Sequence, residues 1–234
     1  MKEVLIIEDD EDIADLIAIH LKDMDCRSVQ VNNGQEGYKQ ASRNVFDLII
    51  LDFMLPEMNG LEICSQLRRA KNTTPIVILT SKSEDMDKIT GLEYGADMYA
   101  TKPFNVIEFK TMLKALFRRI DISRNESVSE SHVVVKLDEL VINITKRSVH
   151  IKGQRIDLTV KEFDLLALLA AHPGQSYSRE QLLSIIWGYE YQAYSHTVNS
   201  HINRLRMKIE EDAAHPRFVL TSWGVGYRFT DPTT

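Results

Sequence analysis

Five short apolar runs, each followed by a stretch of helical periodicity, fill the first half of the chain and leave few folds open to it. The runs are EVLII (3–7), RSVQV (27–31), Leu48 to Leu51, PIVILT (75–80) and Met98 to Ala100, and their length and composition are those of strands. After the first, Ile13, Leu16, Ile17 and Leu21 recur at helical spacing. Further helices open after Asn33-Gly34 and Asn59-Gly60, a fourth passes through Met86 to Tyr94, and a fifth runs from Asn105 to Arg119. Strand-helix alternation repeated five times predicts an α/β doubly wound, five-stranded parallel sheet. Right-handed crossovers and a reversal of strand order beside the first strand bring the C-terminal ends of strands one and three together, where ligands of such sheets gather.

Four strand ends then supply a single rim: Glu8 and Asp9 from the first, Asp52 from the third, Thr80 from the fourth and Lys102 from the fifth. Three carboxylates in one pocket repel one another unless a cation joins them. Mg2+ suits the position, because it takes few carboxylates and keeps waters for a phosphate ligand. Asp52 is then placed as a nucleophile on phosphorus, with Mg2+ and the Lys102 ammonium neutralising charge on the phosphoryl oxygens and Thr80 donating a hydrogen bond. Taken singly, Glu8-Asp9-Asp10 reads as a solvated helix cap, Thr80 as structural and Lys102 as exposed. The conjunction of residue types that one chemistry needs favours the site. Phosphatases with a strand-end Asp nucleophile need a second Asp two positions on as general acid, and here that position is Met54, so a phosphoryl group is expected to be kept and only slowly lost, with no turnover on an external substrate. No GxxxxGK[ST] loop is present to bind ATP directly.

At 234 residues two domains are expected. The formal charge of −6 is uneven: residues 1–122 carry 15 Lys+Arg against 21 Asp+Glu, and residues 123–234 carry 13 against 13. Neither half is basic, so a claim of nucleic-acid binding must rest on local patterning. Cys26 and Cys64 lack metal or disulfide spacing, no apolar run approaches a membrane span, and the acidic turn after MKEVLII is unlike a signal peptide. A cytoplasmic protein is expected.

Residues 121–131 (DISRNESVSES) are polar and Ser-rich and read as a flexible linker between domains 1–120 and 132–234. The second half begins with alternating residues that turn at Lys152-Gly153, as antiparallel strands do. A helix opens on the capping box Thr159-x-x-Glu162, another on Ser178-x-x-Gln181 and runs to Trp187. A third is expected from near Ser195 to about Glu210, followed by a hairpin turning on Gly224 to Gly226. In that third helix Val198, Ile202, Leu205 and Ile209 form an apolar stripe. His196, Thr197, Asn199, Ser200, His201, Asn203, Arg204 and Arg206 are the candidates to meet phosphates and base edges.

The strings LIIEDDEDI, LIILDFMLPEMNG, PIVILTSK and GADMYATKPF resemble the receiver domain of two-component systems. KEFDLL, REQLL, HTVNSHINRLR and WGVGYRF resemble the winged-helix effector of the OmpR/PhoB family of response regulators. The resemblance implies that Asp52 accepts a phosphoryl group from a cognate sensor histidine kinase. It implies Mg2+ on Glu8, Asp9, Asp52 and the Met54 carbonyl, a switch formed by Thr80, Tyr99 and Lys102, and a cis peptide between Lys102 and Pro103. Tyr99 is expected to turn inward as Thr80 moves. The helix from Ser195 becomes the recognition helix on double-stranded promoter DNA, and the hairpin becomes the wing. There Trp223 takes the place of an Arg that family members send into the minor groove, and either Arg228 or packing against the sugar-phosphate backbone is the substitute. A homodimer is implied through the fourth helix, fifth strand and fifth helix. Lys88 pairs with Glu108, and Asp97 with Arg118 or Arg119. Met98 and Met112 replace a charged pair. The overall reading is a transcription factor activated by phosphorylation, the alternative being a DNA-binding regulator that uses its receiver only to dimerise.

Overall fold

The computed structural model describes residues 1–81, 94–124, 134–187 and 195–231. The chain divides into two compact units, Met1–Ala115 and Leu116–Thr234. The first contains β1 (Lys2–Ile7), α1 (Glu11–Lys22), β2 (Cys26–Val31), α2 (Gly34–Arg43), β3 (Leu48–Asp52), α3 (Gly60–Arg69), β4 (Ile76–Ser81) and β5 (Met98–Lys102), and the start of α4 (Val106–Arg124). The strand order β2-β1-β3-β4-β5 is all parallel, with the reversal beside β1 that the sequence predicts. The central strands are covered on both faces, and Leu48 to Leu51 and Ile76 to Leu79 are completely buried. Each such side chain contributes roughly 1.5–3 kcal/mol. The helix through Met86 lies outside the described residues.

Two glycines fix the loop that follows Asp52. Gly34 donates its N–H to the Pro56 carbonyl at 3.1 Å and Gly60 to the Phe53 carbonyl at 3.0 Å. A Cβ on Gly34 would collide with the Met58 carbonyl and one on Gly60 with the Asp52 carbonyl. Helices α2 and α3 therefore begin pressed against the loop from both sides, capped by Asn33 and Asn59.

Helix α4 starts on an Asn105 side chain that accepts the Ile107 and Glu108 N–H groups and continues to Arg124. The stretch expected to open the linker is thus helical over 121–124. Phe109, Leu113, Leu116, Phe117 and Ile120 are buried at helical spacing, and no Gly or Pro interrupts the run from Val106 to Arg124.

The second unit holds an antiparallel sheet of β6 (Val134–Leu137), β7 (Leu140–Asn143), β8 (Ser148–Ile151) and β9 (Gln154–Ile156). Its last turn is formed by Lys152 and Gly153, both at positive φ. Helices α5 (Val160–Ala171), α6 (Arg179–Trp187) and α7 (Ser195–Ile209) follow, with β10 (Tyr177–Ser178), β11 (Val219–Ser222) and β12 (Gly226–Phe229) in a second sheet ordered β10-β12-β11. Both capping boxes form: Thr159 with Glu162, and Ser178 with Gln181, whose side chain takes the Ser178 N–H at 2.8 Å. Strand β10 is an addition that the sequence did not announce, being only two residues long. Among the described residues no helix is long and apolar enough to cross a membrane.

Candidate functional site

The parallel sheet delivers its groups to one rim. In the acidic run after β1 the three side chains part company. Asp10 caps α1, accepting the Ile13 N–H at 3.1 Å; Glu8 is 2% exposed; Asp9 lies open to solvent. The helix-cap reading therefore holds for Asp10 alone. Asp52 ends β3 and is itself buried. Lys102 ends β5 and reaches across the sheet, its Nζ 2.6 Å from Glu8 Oε2 and 3.1 Å from Asp52 Oδ1. The Lys102–Pro103 peptide is cis.

The electrostatics follow from this geometry. Burial raises the Glu8 pKa and the nearby Asp52 charge adds to it, against the pull of Lys102. Burial also raises Asp52, with Lys102 opposing and Asp9 adding. Burial alone would lower the Lys102 ammonium, yet its bonds to Glu8 and Asp52 outweigh that and its pKa is raised. One cation thus serves two confined carboxylates, with a third at the mouth. Glu8, Asp9 and Asp52 bring carboxylate oxygens within 4.8 Å of one another, an all-oxygen set of the kind a hard divalent ion takes. Thr80 is fully buried, its Oγ1 donating to the Ser81 carbonyl at 3.3 Å. The Tyr99 ring is already buried, so the outward position from which it was expected to move is not the one in this structure.

On the dimer face expected from sequence, Glu108 and Arg118 are exposed and Met98 and Met112 half-buried, while Lys88 and the side chain of Arg119 lie outside the described residues. Asp97 needs correction. It is completely buried, its Oδ2 accepting from Arg68 Nη2 at 2.8 Å and from the Ile76 N–H at 3.0 Å. A carboxylate held this way is not available to Arg118 or Arg119 of another copy. Arg68, which the sequence reading overlooked, also donates to the carbonyls of Gly95, Asn72 and Thr74.

Helix α7 buries a wider face than the four-residue stripe suggests. Val198, Ile202, Leu205 and Ile209 are buried as expected, but Thr197, His201 and Arg206 join them, and these three are removed from the DNA-contact candidates. His201 packs edge-on against Trp187, ring centroids 5.0 Å apart, and its Nδ1 lies 2.9 Å from the Thr197 carbonyl. Arg206 donates to the Val219 carbonyl and to Thr221 Oγ1, both at 2.9 Å, which binds the helix to β11. Asn203 and the overlooked Met207 are the exposed residues of the outer face, with Asn199, Ser200 and Arg204 half-buried beside them. The side chain of His196 lies outside the described residues. Buried Glu162 gathers the basic flank, 2.7 Å from Lys208 Nζ and 3.8 Å from Arg204 Nε. Trp223 is 92% exposed at the tip of the β11–β12 hairpin, and Arg228 is half-buried on β12.

A doubly wound sheet with an acidic rim, and a winged helix joined to it in one chain, define a receiver coupled to an effector. Residues 4–114 match the response regulator receiver domain, and residues 153–229 match the family described as transcriptional regulatory protein, C terminal. The chain belongs to the OmpR/PhoB-type response regulators. It is 36% identical to the alkaline phosphatase synthesis transcriptional regulatory protein PhoP of Bacillus subtilis (strain 168), over 99% of this chain and 98% of that one. It is 39% identical to the transcriptional regulatory protein SrrA of Staphylococcus aureus (strain NCTC 8325 / PS 47), over 97% and 95%. Among solved structures, the response regulator DrrB, a Thermotoga maritima OmpR/PhoB homolog, is 32% identical over 99% of this chain and 100% of that one, with a TM-score of 0.49. The protein is a two-component transcription factor.

Proposed function

We propose that Asp52 accepts a phosphoryl group from a histidine kinase and that the modified receiver, residues 1–120, dimerises and raises the affinity of the winged helix, residues 132–234, for tandem DNA half-sites. Residues 121–131 join the two. The observation that carries the reading is the convergence of Glu8, Asp9, Asp52 and Lys102 at one rim. A carboxylate oxygen of Asp52 attacks the phosphorus of the phosphohistidine, the P–N bond breaks, and the imidazole leaves and takes up a proton. Glu8, Asp9, Asp52 and the Met54 carbonyl would hold Mg2+. When bound, the ion neutralises charge on the phosphoryl oxygens. Lys102 gains a new anionic partner in the acyl phosphate, and Thr80 turns its hydroxyl from the Ser81 carbonyl toward it. Tyr99 then holds its buried position more firmly. With Met54 where a general acid would stand, the group is stored for signalling and lost slowly.

The effector meets DNA, at phosphates or base edges, through Asn199, Ser200, Asn203 and Arg204, with Trp223 and Arg228 on the wing. Duplexes selected from a randomised pool provide the test. Acetyl phosphate with MgCl2 is expected to tighten binding by about 5–150-fold, the usual span of coupling between sites. Unchanged affinity would favour a regulator that binds DNA without phosphorylation, its receiver serving only to dimerise.

The dimer forms through the fourth helix, fifth strand and fifth helix of the receiver. Lys88 pairs with Glu108, and Met98 meets Met112 where a charged pair would otherwise stand. An apolar contact at that place makes association less sensitive to ionic strength. In sedimentation experiments the phosphorylated protein is expected to remain dimeric as salt rises; steep dissociation would rule the Met–Met contact out.

A further inference from the structure

We infer that Asn199 meets DNA only as a hydrogen-bond donor to a phosphate, because its carbonyl oxygen is committed to holding the recognition helix against the wing. This rests on the reading that the winged helix binds DNA. Two donors converge on Asn199 Oδ1: Arg179 Nε, from the start of α6, at 2.9 Å, and the Tyr227 hydroxyl, from β12, at 2.9 Å. A guanidinium has no acceptor, so the Arg179 contact fixes which end of the amide is oxygen and which is nitrogen. The Tyr227 ring is flanked by the guanidinium groups of Arg179 and Arg206, each 5.5 Å from its centroid. Helices α6 and α7 and the wing strand β12 therefore meet at one amide oxygen.

The consequence concerns which DNA groups the side chain accepts. An asparagine that reads adenine uses both ends, its oxygen receiving the base amino group and its nitrogen donating to N7. Both lone pairs of Oδ1 are engaged here, so that pairing is closed, and the amide NH2 is what remains. It lies on the same face as exposed Asn203, one turn further along α7. Phosphate oxygens are the most frequent acceptors offered to such a helix. The network also holds two cations, and among the described residues Arg179 forms no ion pair with a carboxylate, which favours an anion at this corner.

Asn199→Asp in the full chain separates the two roles. The new carboxylate still accepts from Arg179 and Tyr227 but turns an oxygen toward the phosphate. Wild type and variant are each used to select duplexes from a randomised pool and then titrated across a salt series. The melting temperature of the variant is expected to equal or exceed that of wild type, because Arg179 gains a charged partner. Affinity is expected to fall on the order of tenfold or more for all duplexes alike. The slope of log affinity against log salt should shrink by about one, with base preference unchanged at every position. A preference altered at one base pair, an undiminished affinity or a lower melting temperature would each overturn the inference. Failure of wild type to select any duplex would instead overturn the DNA-binding reading itself.

Discussion

Incubated with acetyl phosphate and MgCl2, the wild-type chain is expected to show a retarded band on a phosphate-affinity gel, and Asp52→Ala none at all. The loss should be complete, because among the carboxylates at the rim Asp52 is the one that ends a buried strand beside both Lys102 and Thr80. The substitution should leave the fold intact. Asp52 carries a cost of burial that Lys102 only partly offsets, and without it Lys102 keeps both oxygens of Glu8, at 2.6 and 2.7 Å. A circular dichroism melt of the variant should therefore match or exceed that of wild type. A band that persists in Asp52→Ala would move the acceptor to another residue, and no band in wild type would support the phosphorylation-independent alternative.

The convergence of these side chains at one rim was legible in the sequence because parallel-sheet topology turns strand ends into neighbours. Glu8, Asp52, Thr80 and Lys102 lie far apart along the chain, yet each closes an apolar run, and strand order does the rest. What the sequence could not reveal was the division of labour within Glu8-Asp9-Asp10. Three adjacent acids look alike until the backbone aims one at a helix N-terminus, one inward and one at solvent. The already buried ring of Tyr99 was equally hidden, since inward and outward rotamers leave the same residue in the string.

The second large effect is expected at Asp97. Replacing it with Ala should destabilise the receiver by about 3–5 kcal/mol, the usual cost of leaving one member of a buried ion pair without its partner. Arg68 and Asp97 are 6% and 0% exposed at their side chains, and the pair ties the end of α3 to the starts of β4 and β5. Urea unfolding of wild type and Asp97→Ala measures this directly, and a loss below about 1 kcal/mol would mean that the pair contributes no more than a surface bridge. The rim that carries Asp52 is at the opposite ends of the same strands, so the surviving folded fraction should still accept phosphate. The misassignment of Asp97 to a dimer face has a physical cause. An acid beside a short strand gives no sign of its exposure, and its partner Arg68 is 29 residues away.

The effector shows the same boundary between pattern and packing. Capping boxes and turn glycines located its helices and hairpins, because those signals are local. The buried faces of α7 were misjudged at Thr197, His201 and Arg206: Thr197 is small enough to be enclosed, His201 lies against the Thr197 carbonyl and packs edge-on against Trp187, and Arg206 bonds to the Val219 carbonyl and Thr221. A hydrophobic stripe counts only apolar residues and misses polar ones whose partners come from other elements.

The pairing of β10 with β12 has a consequence for redesign. A Cβ at Gly226 would collide with the Tyr177 carbonyl, so that position is closed to every other residue without moving β10. Nothing lies within 4 Å of a Cβ built at Gly224, whose positive φ still favours Gly or Asn. A library meant to give this regulator new binding preferences would therefore vary 223 and 225 freely and 224 narrowly, and would hold Ser222 and Gly226 as the fixed frame.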